Sequence, residues 1–186
     1  MTIDVQPTGA AVGARITGVD LSRELDEATF EAIHRAWLDH QVLVFPGQSL
    51  SEEDQIRFSR HWGELPVRDR YQTRHERDVK DRSIMLVSNI RENGQQIGSL
   101  PDGEMMFHTD GAYEKERYKA TQLYALAIPR TGGDTHFSSM YMAYDALPQR
   151  LKTLLDGRKA GYQYGGSRFA MALLNEEDRG RAPAVH

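Results

Sequence analysis

The chain has 186 residues, 39% of them hydrophobic, with 23 basic against 27 acidic side chains and a formal charge of −4. That length suits one domain with a real core, and the near-balanced charge supplies no bulk attraction to nucleic acid or to a membrane surface. There is no cysteine, which excludes disulfides, thiolate metal sites and cysteine nucleophiles.

From the N-terminus, "MTIDVQPTGA" lacks the basic start and apolar core of a signal peptide. No apolar run approaches the roughly 20 residues needed to span a bilayer. The default expectation is a cytoplasmic enzyme or binding protein, with neither repeats nor a low-complexity linker. "GARITGVDLS" predicts a short strand leading into a turn. "LDEATFEAIHRAWLDH" predicts a helix, with Phe30, Ile33 and Trp37 at helical spacing. "QVLVFPG" is a short apolar strand stopped by Pro46 and Gly47. "SLSEEDQIRFSRHWGEL" opens a second helix with Ser51 as N-cap, acids in its first turn and Gly63 where a C-terminal cap belongs. Further on, 84–90 ("IMLVSNI") predicts a buried strand, 91–107 a loop, and 120–129 ("ATQLYALAIP") a long strand. "RTGGD" is a tight turn, after which "THFSSM" resumes an extended path. "LPQRLKTLLDG" predicts a helix with Pro148 in its first turn, Leu151, Leu154 and Leu155 on one side, and Gly157 as its stop. "RKAGYQYGG" begins another strand. Short strands with helices concentrated near the start suggest a β-rich barrel or jelly roll with flanking helices.

The stretch "FHTDGAYE" at 107–114 carries the chemistry. In extended backbone, residues two apart point to the same side. The His108 imidazole and the Asp110 carboxylate therefore converge, and one more imidazole would complete the two-histidine, one-carboxylate triad that holds Fe(II) on one face and leaves the other open. On the tripeptide alone, a surface turn or a histidine orienting a carboxylate is the commoner reading.

The wider context resembles the taurine dioxygenase and aryloxyalkanoate dioxygenase (TauD/TfdA-like) family of Fe(II)/2-oxoglutarate-dependent oxygenases. The resemblance rests on the stretch 103–147, "GEMMFHTDGAYEKERYKATQLYALAIPRTGGDTHFSSMYMAYDALP". Its parts come in order: an apolar-aromatic lead into H-T-D, a strand with a Tyr-Ala core, T-G-G-D-T after a proline, and an aromatic-rich helix start. "GARITGVDLS" and "HQVLVFPGQSLSEEDQIRFSRHWGEL" extend it over nearly the whole chain. The resemblance implies a mainly β fold with flanking helices, a double-stranded β-helix (jelly roll), over 1–186 as a single domain that lacks its C-terminal strands. It implies Fe(II) as cofactor with 2-oxoglutarate and O2 as cosubstrates, and hydroxylation of a small, anionic organic substrate with release of succinate and CO2.

Residue by residue, His108 and Asp110 match metal ligands, and Thr135 matches the threonine that hydrogen-bonds a carboxylate of 2-oxoglutarate. Gly132 and Gly133 serve the turn. The family also needs a second ligand histidine and an arginine for the distal carboxylate of 2-oxoglutarate. His186, at the end of "APAVH", is read as a terminal histidine and not that ligand, so both groups are expected beyond residue 186. Asn89 and the loop 91–104 are expected to contact substrate. The arginine-rich stretch 66–82 offers cations or is a solvated loop, and Gln122 is a further candidate toward the cosubstrate. His34 and His61 lie on predicted helices and are expected to be surface or helix-packing residues. His40 and His75 fall in or near connections, and His136 points away from Thr135. The expected partner is a small-molecule substrate, with neither nucleic acid nor membrane; a homo-oligomer stays open, since "MYMAY" suits an interface as well as a core. Two other readings remain: a non-catalytic small-anion-binding protein with an incomplete metal site, and a cupin-like metalloenzyme without an oxoacid cosubstrate.

Overall fold

The computed structural model describes residues 2–66, 83–98, 106–163 and 184–185. The arginine-rich stretch from 67 to 82, His75 and His186 lie outside the described residues. The chain divides into two compact units, one of residues 1–106 and 122–139, the other of residues 107–121 and 140–186.

In the first unit, β1 (Asp4–Pro7) pairs antiparallel with β2 (Ala14–Thr17), and β2 pairs parallel with β3 (Leu43–Val44). β2 alternates as a half-buried strand should: Ala14 and Ile16 are buried and Arg15 is exposed. Helix α1 (Glu27–His40) lies between β2 and β3 in the chain. The Asp26 side chain caps it, accepting the Thr29 backbone N–H at 2.7 Å. Its buried residues Thr29, Ile33 and Ala36 recur at the spacing of one helix face. The helix stops at Gln41, whose φ of +65° breaks the helical path. The next residues are stitched to the sheet, with Gly13 N–H donating to His40 O at 2.9 Å and Ala14 N–H to Val42 O at 2.9 Å.

Helix α2 (Glu52–Arg60) starts with a complete capping box. The Ser51 hydroxyl takes the Asp54 N–H while the Asp54 carboxylate takes the Ser51 N–H, which bears out Ser51 as the N-cap. The core forms where α1, α2 and the turn after β2 meet, from Leu21, Ile33 and Phe58, with Val19, Leu43, Phe45, Leu50 and Trp62 packed against it. Removing a side chain such as Ile33 fully from water contributes about 1.5–3 kcal/mol. The Gln48 amide bridges the turn, accepting from Leu21 N–H at 2.8 Å and donating to Val19 O at 3.1 Å. His34 and His61, expected to be surface or helix-packing residues, both stack against the Phe30 ring, with centroids 6.0 and 4.7 Å away, and His61 is exposed as well.

Two strand expectations fail among the described residues. The segment 84–90 enters no ladder, and Met85, Val87 and Ile90 are exposed. A short hairpin follows where a loop was expected: β4 (Arg91–Glu92) pairs with β5 (Gln95–Gln96). Asn93 and Gly94 both have positive φ, as a two-residue turn of this hand requires. The segment 120–129 is likewise no ladder strand, and Leu126 and Ile128 are 77% and 79% exposed. Apolar alternation marks a segment able to enter a sheet, but a strand exists only where a second segment supplies its hydrogen bonds, and among the described residues none pairs with it. The end near α2 is held by side chains instead. The Tyr124 hydroxyl accepts from Leu50 N–H at 3.0 Å, and the Ser59 hydroxyl donates to the Gln122 amide oxygen.

In the second unit, α3 (Met140–Asp145) and α4 (Gln149–Leu155) follow one another, with Pro148 at the N-cap of α4. Lys152 joins them, donating from Nζ to Asp145 O at 2.9 Å with the ammonium 5.1 Å from the Tyr144 ring centroid. β6 (Gly161–Tyr162) pairs antiparallel with β7 (Ala184–Val185). The described residues thus form a mixed helix and strand structure, and no helix among them is long and apolar enough to cross a membrane.

Candidate functional site

His108 and Asp110 lie in the second unit, on a segment without regular structure that ends in a turn. His108 Nε2 stands 3.1 Å from Asp110 Oδ1, and both side chains are about half exposed, at 51% and 47%. The convergence expected from their spacing is therefore present. Thr109, between them, is exposed. Gly111 is buried with φ +65°, which a residue with a side chain adopts only at a cost. Its carbonyl accepts the Glu114 N–H at 2.9 Å, closing the turn. The Tyr118 ring covers it: a Cβ at Gly111 would lie 2.7 Å from Tyr118 Cδ2. From there the chain returns, and the Thr121 hydroxyl donates to Asp110 Oδ2 at 3.0 Å.

This donor set fits an iron ion. Two ligand atoms at adjacent corners of an octahedron, each about 2.1 Å from the metal, stand roughly 3.0 Å apart, close to the observed 3.1 Å. A neutral imidazole and a carboxylate are two of the three groups in the facial triad. Among the described residues no cluster of three or more histidine, aspartate or glutamate side chains occurs.

The other expected site residues lie in the first unit. Thr135 is exposed, on a segment without regular structure after Gly132 and Gly133, whose φ values of +72° and +75° suit the turn expected of them. Asn89 is exposed, one residue after Ser88, whose hydroxyl accepts the Ile90 N–H at 3.1 Å. The Gln122 amide oxygen accepts from the Ser59 hydroxyl of α2. His136 is exposed. Thr121 and Tyr118 escaped the reading of the sequence. Nothing in their spacing from Asp110 marks them, since their contact depends on the shape of the turn at Gly111.

Residues 4–186 match the model of the family described as "Taurine catabolism dioxygenase TauD, TfdA family". A (S)-phenoxypropionate/alpha-ketoglutarate-dioxygenase of Delftia acidovorans is 35% identical over 169 residues, covering 86% of this chain and 54% of that protein. An alpha-ketoglutarate-dependent 2,4-dichlorophenoxyacetate dioxygenase of Cupriavidus pinatubonensis is 29% identical, covering 98% of this chain and 64% of that protein. An alpha-ketoglutarate-dependent sulfate ester dioxygenase of Pseudomonas putida is 32% identical, covering 84% and 48%. The chain thus spans about half to two thirds of the length of these relatives. Among solved structures, that of AAD-2 in complex with Mn(II) and N-oxalylglycine aligns with all of this chain and 66% of its own, with a TM-score of 0.73 at 20% identity. A taurine dioxygenase from Burkholderia xenovorans aligns with a TM-score of 0.64 at 24% identity, over 88% of this chain and 55% of its own. At these identities the likeness establishes the shared fold. The sequence match runs through the H-T-D turn, the T-G-G-D-T segment and both N-terminal helices alike, and on that breadth the chain belongs to the TauD/TfdA family of dioxygenases.

Proposed function

We propose that the complete protein is an Fe(II)- and 2-oxoglutarate-dependent dioxygenase that hydroxylates a small anionic organic substrate and releases succinate and CO2. The observation that carries this reading is the pair His108 Nε2 and Asp110 Oδ1, 3.1 Å apart and spaced as adjacent ligands of one metal ion. It is supported by relatives whose names give alpha-ketoglutarate as cosubstrate, and phenoxypropionate and sulfate esters among their substrates.

Iron and 2-oxoglutarate, when bound, supply the oxidising chemistry, and the protein supplies position and exclusion of water. His108 presents a ring nitrogen and Asp110 one carboxylate oxygen. Thr135 donates its hydroxyl to a carboxylate of 2-oxoglutarate, which adds a hydrogen bond without adding charge. Asn89 contacts the substrate through its amide. The third metal ligand and the arginine that pairs with the distal carboxylate lie beyond residue 186. The whole closes as a single jelly-roll domain, a double-stranded β-helix in which 120–129 finds strand partners. The protein works in the cytoplasm.

Anaerobic addition of Fe(II) and 2-oxoglutarate to the complete protein should give a weak visible charge-transfer band, and His108→Ala should abolish it. Succinate should appear when O2 and a substrate such as a phenoxypropionate or a sulfate ester are supplied. A folded, complete protein with neither band nor succinate would overturn the reading in favour of a non-catalytic anion-binding protein.

A further inference from the structure

The geometry points to Thr121 as a positioning residue for Asp110: its hydroxyl holds one carboxylate oxygen so that the other alone is presented beside His108. This inference rests on the proposed metal site. The two oxygens of Asp110 have different neighbours. Oδ1 faces His108 Nε2 at 3.1 Å, and Oδ2 takes the Thr121 O–H at 3.0 Å. A carboxylate free to turn about its own axis can bind a metal through both oxygens and so occupy a position that a cosubstrate needs. One held by a hydrogen bond on its outer oxygen binds through the inner one. A hydroxyl suits the task because it donates without neutralising the carboxylate, whose full charge stays available to the metal. A lysine or arginine in its place would compete for that charge.

The backbone is shaped to deliver this contact. Thr121 follows Asp110 by eleven residues, too far for local spacing to bring them together. Gly111 starts the return with its left-handed backbone, the Gly111–Glu114 hydrogen bond tightens it, and the Tyr118 ring lies over Gly111 where a side chain would otherwise stand. Thr121 ends the loop at the ligand it supports. Hydrogen-bond partners that orient metal ligands commonly contribute a factor of about 10–100 in metal affinity.

The test titrates Co(II), without 2-oxoglutarate, into the complete protein and its variants Thr121→Val, Thr121→Ala and Thr121→Ser, reading affinity and visible spectrum. Thr121→Val keeps the shape and removes the hydroxyl. It is expected to weaken Co(II) binding about 10–100-fold and to alter the intensity of the Co(II) bands as the carboxylate binding mode changes. Thr121→Ser should restore both, and the melting temperature of the metal-free proteins should stay close to that of the parent. Thr121→Ala gives a second hydroxyl-free variant should valine fail to fold. Wild-type affinity and spectrum in a hydroxyl-free variant would overturn the inference while leaving the metal site standing. So would a serine variant as weak as the valine one. No Co(II) binding by the parent protein would overturn the metal site as well.

Discussion

Gly111 separates the proposed ligand pair from the loop that returns to it, and its constraints are doubled. Its φ of +65° costs an L-residue about 1–2 kcal/mol, and a methyl group there would meet the Tyr118 ring at 2.7 Å. Gly111→Ala should therefore lower stability by at least that backbone cost and weaken metal binding together, read by thermal melting and Co(II) titration. A variant that melts normally and binds normally would mean that the turn is tolerant. At this scale the sequence was legible where the chemistry is local. His108 and Asp110 converge as their two-residue spacing suggests, although the structure has no strand there and Asp110 already stands in the turn. Thr121 was illegible because its contact is produced by a turn and an aromatic ring, neither of which leaves a periodic mark.

Helices were the most legible elements, since their signals are contained within a few residues. Ser51 and Asp54 announce the start of α2 by type and spacing, and the structure shows both halves of their capping box. The exchange also acts on acidity. Hydrogen bonds from the Ser51 backbone and hydroxyl, followed by the Arg57 guanidinium, hold the Asp54 carboxyl below its ordinary value of 3.8. The Thr29 hydroxyl and backbone N–H do the same for Asp26 at the start of α1. A lowered folded-state value means stability that is present above the ordinary aspartate range and lost as pH falls below it through the folded-state values. Helix content followed by circular dichroism should stay level down to the ordinary aspartate value and decline below it. Ser51→Ala should destabilise the protein by about 1 kcal/mol at neutral pH and lessen that acid slope in part, because the hydroxyl that donates to Asp54 is gone while the backbone N–H of residue 51, the larger influence, remains; an unchanged slope would show that the hydroxyl does not contribute to it. Strands were less legible for the opposite reason. The composition of 84–90 and 120–129 describes segments that fit a sheet, but their pairing depends on residues distant in the chain.

Among the described residues, apolar side chains include both a fully buried and a largely exposed group. Ile33 and Ile16 are fully buried in the first unit, whereas Leu123, Leu126 and Ile128 of the same unit are largely exposed, as are Tyr141 and Met140 of α3. Ile33→Ala should cost about 2–5 kcal/mol in chemical denaturation. Leu126→Ser should change the stability of the 186-residue chain by no more than about 0.5 kcal/mol, yet reduce its self-association in sedimentation, because exposed apolar surface promotes association more than it affects folding. Equal costs at the two positions would contradict this division. The aromatic cluster of the first unit has an optical consequence. The only two tryptophans of the chain, Trp37 and Trp62, sit together there with ring centroids 5.0 Å apart. Intrinsic fluorescence excited at the red edge therefore comes wholly from the junction of α1 and α2. An unfolding curve recorded this way reports the opening of that junction and carries no emitter from the segment bearing His108 and Asp110, so that turn needs a chromophore of its own, such as added cobalt at the proposed site, to be seen at all.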